Sequence, residues 1–303
     1  MPSFRAAPVR VRVPATSANL GPAFDSAGLA LALYDDVVVR VADSGLSVDV
    51  AGEGADDLPR DKRHLVVRSL REVFAQLGGQ PRGLEVVCAN RIPQARGLGS
   101  SSAAIVAAVV AARALVLGGE ELLDEDGMLA LASAIEGHPD NVAACLRGGL
   151  TFAWTAPGGV RVHRVDVHAD LAPVAFVPTS RASTKKVRGL LPESVPHADA
   201  AANSARAALL ALALTRSPEL LLDATEDRLH QSYRASAMPR SAALVQALRA
   251  DGVPAVISGA GPTVLALATR ATVEAVAART PRGWQVLPLP VEAAGASVVP
   301  LSG

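Results

Sequence analysis

The residues best placed to do chemistry fall in residues 91–117, RIPQARGLGSSSAAIVAAVVAARALVL, where a turn of small residues opens into an unbroken run of helix formers. That order suits an anion. The free amides of a first helical turn and the positive end of the helix dipole both favour a phosphate. Gly97 and Gly99 let the backbone approach it closely, and Ser100, Ser101 and Ser102 offer an N-cap and hydroxyls for phosphate or a metal ion. The alternative is a plain loop before a buried helix, since residues 103–117 are apolar nearly all round. The stretch lacks the lysine of G-x-x-x-x-G-K-[ST] and the spacing of G-x-G-x-x-G, so any nucleotide site here belongs to another class.

Further segments carry polar side chains of useful type. In EGHPDNVAACLRGG, Pro139 is a good first helical residue, which gathers Glu136, His138, Asp140 and Asn141 at the start of a helix running to Leu146. Capping accounts for one of the four. In ATSANLGPAFDSAGLAL, Asn19 and Asp25 sit among small residues between two strands, placed either to meet a ligand or to bond their own turn backbone. The segment TSRASTKKVRGLLP holds Arg181, Lys185, Lys186 and Arg188 within eight positions, as a solvated face or an anion-facing loop. Asp227, His230 and Arg234 recur at spacings of three and four and so are expected to share a helix face. SGAGPT has glycine at both Gly259 and Gly261, which two apolar strands do not need unless the backbone bends tightly or something lies against it.

The elements that must hold these segments follow from periodicity. Residues 9–13 alternate valine and arginine as a strand with one wet face, and Pro14 is expected to end it. Further strands are expected at 29–41, 46–50, 83–89, 150–154, 160–165, 174–177, 253–257, 264–268 and 284–291. Helices are expected at 64–77, 127–135, 198–214, 218–223, 241–251 and 272–280. Residues 156–159 combine Pro and Gly and mark the expected domain boundary, giving domains 1–157 and 158–303.

Half of the 303 residues are hydrophobic, ample for two domains with sizeable cores. The 29 basic and 29 acidic residues cancel, and aromatics are few, so neither a basic stripe nor a stacking platform for nucleic acid exists. Cys88 and Cys145 fall in apolar patterns and read as buried thiols of a reducing compartment. No signal region opens the chain, and the helix after the serines, about 15 residues with Arg113 in it, is too short to span a bilayer. A cytoplasmic protein acting on small molecules is expected.

Taken together, PATSANLGPAFDSAGLAL, PQARGLGSSSAA, EGHPDNVAACLRGG and SGAGPT resemble, in order, spacing and identity, the GHMP kinase superfamily, and the first and third are specific to its homoserine kinase family. The resemblance covers nearly the whole chain. It implies an α+β protein with a two-domain GHMP kinase fold, an N-terminal domain of the ribosomal protein S5 domain 2-like type and a ferredoxin-like C-terminal domain. It also implies ATP-dependent phosphorylation of the hydroxyl of L-homoserine to O-phospho-L-homoserine, a step towards threonine, and relatives are commonly homodimers. By the same resemblance Pro93, Gln94, Ala95, Arg96, Gly97, Leu98, Gly99, Ser100, Ser101, Ser102 and Ala103 wrap the ATP phosphates, and Gly259 and Gly261 help to close the site. Homoserine's ammonium and carboxylate are expected at Asn19, Asp25, His138, Arg188 and Arg234, an arrangement with the right charges. Asn141 stands where mevalonate-type relatives place a catalytic aspartate, and an amide there would orient the hydroxyl. Related kinases often carry a glutamate two turns before the histidine, where this chain has Ala130, so Mg2+ is assigned to Glu136 and Ser101.

Overall fold

The computed structural model describes residues 2–301 and, within them, the side chains of all but Thr184 and Lys185. Its first half runs β1 (Val9–Ala18), β2 (Ala27–Ala42), β3 (Gly45–Gly52), α1 (Leu65–Gln76), β4 (Gly83–Asn90), α2 (Ser100–Leu115), α3 (Gly119–Leu122), α4 (Glu125–Glu136), α5 (Asp140–Arg147), β5 (Leu150–Ala156) and β6 (Gly159–Val165). The second half continues with β7 (Leu171–Val177), α6 (Thr184–Arg188), α7 (His197–Thr215), α8 (Leu221–Ala224), α9 (Gln231–Arg234), α10 (Pro239–Ala250), β8 (Ala255–Ile257), β9 (Val264–Thr269), α11 (Val273–Ala277), β10 (Gln285–Pro288) and β11 (Ser297–Val299). The α+β class expected from the sequence holds.

Two sheets organise these elements. The larger has the order β11-β1-β2-β4-β3, with β5 added to β2 and β6 to β5, and only the β3/β4 pair is parallel. The smaller has the order β10-β7-β9-β8 and is antiparallel. Alternation decides which face of the small sheet meets which core. Leu171, Ala175 and Val177 of β7 and Leu265 and Leu267 of β9 join the main core, whereas Val174, Phe176, Val264, Ala266 and Ala268 turn to a second core with Leu248 of α10 and Val276 of α11. With both faces covered, β7 and β9 read as continuous apolar runs. The main core is built around α2, eleven of whose residues are buried, as its apolar circumference requires.

Three expectations are corrected. Pro14 does not end the first strand: it pairs with Tyr34, the register shifts between Pro14 and Ala15, and the strand continues to Ala18. A proline has no amide hydrogen for a ladder, and a bulge is one of the places where none is needed. The boundary expected at 157/158 is the turn of the β5/β6 hairpin, and both strands lie in the larger sheet. The chain also returns to that sheet at its far end, where β11 pairs with β1 in antiparallel register. Finally, Asp227, His230 and Arg234 do not share a helix, because α9 begins only at Gln231, with His230 as its N-cap, and Asp227 lies in the turn before it, accepting from the amides of Leu229, His230 and Gln231.

Candidate active site

Three glycine-containing turns meet at one point. The phosphate-type loop before α2, the end of β1 and the SGAGPT turn before β9 are tied by backbone bonds from Thr16 N to Leu98 O, Gly259 N to Ala18 O and Thr263 N to Arg96 O. Ser258 Oγ donates to Gly97 O at 2.6 Å and lies 2.8 Å from Ser17 Oγ. A Cβ on Gly97 would stand 2.2 Å from Ser258 O, so the two turns touch only because residue 97 has no side chain. Gly99, at φ +72°, is the N-cap of α2, and a Cβ there would fall 1.9 Å from Thr16 Oγ1. The serines therefore do not cap the helix as expected. They form its first turn, and the helix N-terminus leaves their amides without intrahelical partners.

These turns open onto a cavity of about 340 Å3 lined by Asn19, Gln94, Ala95, Gly97, Gly99, the three serines, Ala103, Glu136, His138, Asp140, Asn141, Arg188, Arg234, Gly259 and Gly261. The lining also includes Val37, Leu65, Cys88 and His64, whose two ring nitrogens have no partner and whose pKa burial lowers. Asp35 accepts from the amides of Arg91 and Ile92 and so fixes the entry to the loop, and burial pushes its carboxyl up to about 6. Three residues expected on the nucleotide do not line this cavity. Leu98 is wholly buried, Pro93 lines a separate shallow hollow, and Arg96 in that hollow donates to Pro178 O and Thr179 O.

The start of α5 presents the reactive cluster. Asp140 Oδ1 accepts from the Asn141 amide at 2.7 Å and lies 2.8 Å from His138 Nδ1; that hydrogen bond raises the His138 pKa against the opposing effect of burial. Thr16 Oγ1 donates to Asn141 Oδ1 at 2.7 Å. With Oδ1 occupied as an acceptor, the face Asn141 offers is its NH2, a donor and not a base. Thr16 was missed at the sequence level, because a strand ending at Pro14 leaves it in a loop. Glu136 Oε1 accepts from Ser101 Oγ at 2.7 Å and Ser102 Oγ at 2.9 Å, so the expected pair does meet, with Ser102 added. Among the described residues no three His, Cys, Asp or Glu side chains gather as a metal cage.

The charged residues at and beside the cavity come from both halves: Arg188 and Arg234 line it, while Asp25 lies outside the lining and reaches it through Arg188. Asp25 does not bond its own turn; its carboxylate grips the Arg188 guanidinium in a two-pronged pair of 2.9 and 2.5 Å. Asn19 is held inside the structure, donating to Gly259 O at 3.0 Å and accepting from the Asp25 amide at 3.0 Å. Arg234 is 2% exposed, its Nε has no partner, and among the described residues no carboxylate reaches it within ion-pair distance. Burial lowers its pKa, as does the charge of Arg188. Of the basic run, Arg181 pairs with Asp57 at 2.7 Å, Ala182 N donates to Ala95 O, and the Lys185 side chain lies outside the described residues.

A helix N-terminus with glycine-formed walls, set against paired and unpaired charges between two α+β halves, defines a small-molecule kinase of the GHMP class. Residues 64–149 match the family model for the GHMP kinases N terminal domain and residues 201–285 that for the GHMP kinases C terminal. A homoserine kinase of Streptomyces avermitilis is 66% identical over 301 residues, covering 99% of each chain, and one of Streptomyces coelicolor is 65% identical, covering 99% of this chain and 97% of the relative. The crystal structure of homoserine kinase from Cytophaga hutchinsonii superposes with a TM-score of 0.84 at 25% identity over 99% of each chain. The chain belongs to the homoserine kinases of the GHMP kinase superfamily.

Proposed function

We propose that the chain transfers the terminal phosphoryl group of ATP to the side-chain hydroxyl of L-homoserine, giving ADP and O-phospho-L-homoserine on the route to threonine. One observation supports this above the rest: Arg234, a buried guanidinium without a carboxylate partner among the described residues, shares a cavity with the glycine-walled helix N-terminus. The first suits a substrate carboxylate and the second a phosphate. Asp25 then meets the ammonium while keeping Arg188 beside it, and His138 and Asn19 close the remaining sides. A zwitterion is the ligand this charge pattern accepts best, because each of its charges finds the opposite sign.

ATP enters with its nucleobase against Val37, His64, Leu65 and Cys88, the apolar part of the lining, and its phosphates along residues 94–103. Asn141, steadied by Thr16 and Asp140, orients the acceptor hydroxyl through its NH2. No strong base is required, because phosphoryl transfer proceeds through a loose transition state in which positioning and charge neutralisation supply the rate. The donor set fits magnesium, since Glu136 offers a carboxylate beside two hydroxyls at the phosphate cradle, and magnesium is ordinarily held by one or two carboxylates with substrate phosphates. Glu136 and Ser101 would hold it, and when bound it neutralises charge on the phosphate oxygens.

A reducing, cytoplasmic setting fits the two buried free thiols, and burial pushes that of Cys88 up to about 12. Among the described residues no helix is long and apolar enough to cross a membrane. The reading includes a homodimer, by resemblance to relatives. Its test is ATP consumption with L-homoserine, homoserinol, 4-hydroxybutyrate and mevalonate as acceptors. Homoserine should exceed the others in kcat/KM by at least about 100-fold; turnover of mevalonate at a comparable rate would overturn the assignment.

A further inference from the structure

A guanidinium aimed into a cavity has several rotatable bonds and repels its neighbour of like charge, so something must hold Arg234 where it stands. Two groups do. Its guanidinium carbon lies 5.1 Å from the centre of the Phe24 ring, whose other cationic neighbour is Arg188 at 5.4 Å, and its Nη1 lies 3.2 Å from Nδ1 of His230. His230 is wholly buried, and its ring is tilted against Phe24 at 5.1 Å between centroids. Its other nitrogen, Nε2, is 2.8 Å from Gly21 O.

The proton positions follow from what each partner can do. A carbonyl oxygen can only accept, so Nε2 carries the hydrogen; a guanidinium can only donate, so Nδ1 is bare. Both partners require the same neutral tautomer, and burial and the charge of Arg234 favour that neutral form. Asp227, whose Oδ2 is 3.7 Å from Nε2, the bond to Gly21 O and the charge of Asp25 oppose it, but Asp227 already accepts three backbone amides and Gly21 O is equally satisfied by the neutral Nε2–H form. The imidazole thus links two parts of the site. One nitrogen is anchored on the loop that carries Phe24 and Asp25, and that loop is itself pressed on the second half of the chain, since a Cβ on Gly21 would stand 2.7 Å from Thr225 O and Asn203 Nδ2 donates to Pro22 O. The other nitrogen orients the guanidinium.

We infer that His230 is a positioning residue for the amino-acid substrate, holding Arg234 in line with the Asp25 loop through a bare Nδ1 and a protonated Nε2. It touches neither substrate; it sets the place of the group that does. The inference rests on the proposed role of Arg234 toward the substrate carboxylate.

The test uses two substitutions that each keep one half of the ring's bonding. His230→Asn retains an acceptor near the position of Nδ1 but loses the bond to Gly21 O, whereas His230→Gln places its amide near Nε2 and leaves Arg234 without an acceptor. The expected result is a KM for homoserine raised about tenfold in His230→Gln and no more than about threefold in His230→Asn, with the KM for ATP unmoved in both. In an Arg234→Ala background, His230→Gln should add nothing further, because its effect passes through the missing side chain. Nitrogen-15 spectra of the His230 ring should show the Nε2-protonated neutral tautomer in the free enzyme. A protonated Nδ1, equal losses in the two His230 variants, or a full additional loss on top of Arg234→Ala overturns the proposal. Arg234→Ala separates the two ideas: if it raises the homoserine KM while His230→Gln does not, only the positioning role falls, and if it leaves that KM unchanged, the substrate assignment of Arg234 falls and the inference with it.

Discussion

Asp25→Asn preserves the shape of the side chain and removes one charge from a site where charge is finely balanced. In the folded chain the carboxylate forks onto Arg188, and the two side chains are each 35% exposed. Deleting one partner of a buried hydrogen-bonded charge pair costs about 2 to 5 kcal/mol, and the exposure of Asp25 places its pair with the substrate ammonium near the lower end, about 2 kcal/mol. At 1.4 kcal/mol per decade, kcat/KM for homoserine should fall roughly 30-fold. Thermal stability should change much less, since a partly exposed ion pair contributes about 0.2 to 1 kcal/mol. The sign for a second substrate is the sharper part. Asp25 partly offsets the repulsion between Arg188 and Arg234, so removing its charge makes the site more positive. A substrate with a carboxylate and no ammonium, 4-hydroxybutyrate, should therefore keep or improve its kcat/KM while homoserine loses. Steady-state kinetics on both acceptors, with ATP titrated separately, read this directly. If both acceptors decline by the same factor, Asp25 serves as a tether between the halves and its assignment to the ammonium is wrong.

Gly99→Ala puts a methyl where Thr16 Oγ1 now sits, at a φ that side chains rarely adopt, so kcat should fall more than about tenfold and Tm by about 2 to 4 °C, and a folded variant with unchanged nucleotide titration and turnover would refute the packing argument. Thr16→Val removes the hydroxyl that holds the Asn141 amide; kcat should drop about tenfold with little change in homoserine KM, and Thr16→Ser should restore it. Glu136→Gln should raise the magnesium needed for half-maximal rate at least about tenfold, measured at saturating ATP, and an unchanged requirement moves the metal elsewhere. His138 has a folded pKa raised by Asp140, so the pair's contribution is fully present below the unfolded value of about 6.5 and is lost as pH rises through the folded value; the Tm gap between wild type and His138→Gln should be widest in acid and close in alkali, and a gap constant with pH would contradict the pairing.

Much of this site could be read from local pattern. The run of small residues into α2, the cluster at the start of α5 and the glycines of SGAGPT each announce themselves through residue type and spacing, and all three line one cavity. What escaped was decided over long distances. Thr16 became visible only once Pro14 was seen to sit at a bulge paired with Tyr34. The turn at residues 156–159 has the same composition whether it joins domains or closes a hairpin, and pairing of β6 with β5 decides between them. Glycines at 97 and 99 were expected for phosphate approach, but their nearest constraints are Ser258 O and Thr16 Oγ1, contacts made by residues far off in sequence. Asp25 stood out as an acid among small residues, without any sign that Arg188, 163 positions on, would be its partner.

The pairing of β11 with β1 bears on how the molecule comes into being. The larger sheet holds the first strand of the chain and also residues 297–299, and on the way there the backbone is stitched in again by Glu292 to Ala30 and Gly149 and by Ala296 to Cys145. A nascent chain leaving the ribosome cannot finish its first sheet until residues 297–299 have emerged. The larger sheet therefore waits for the second half of the chain, and the two halves fold as one unit rather than as two modules joined later.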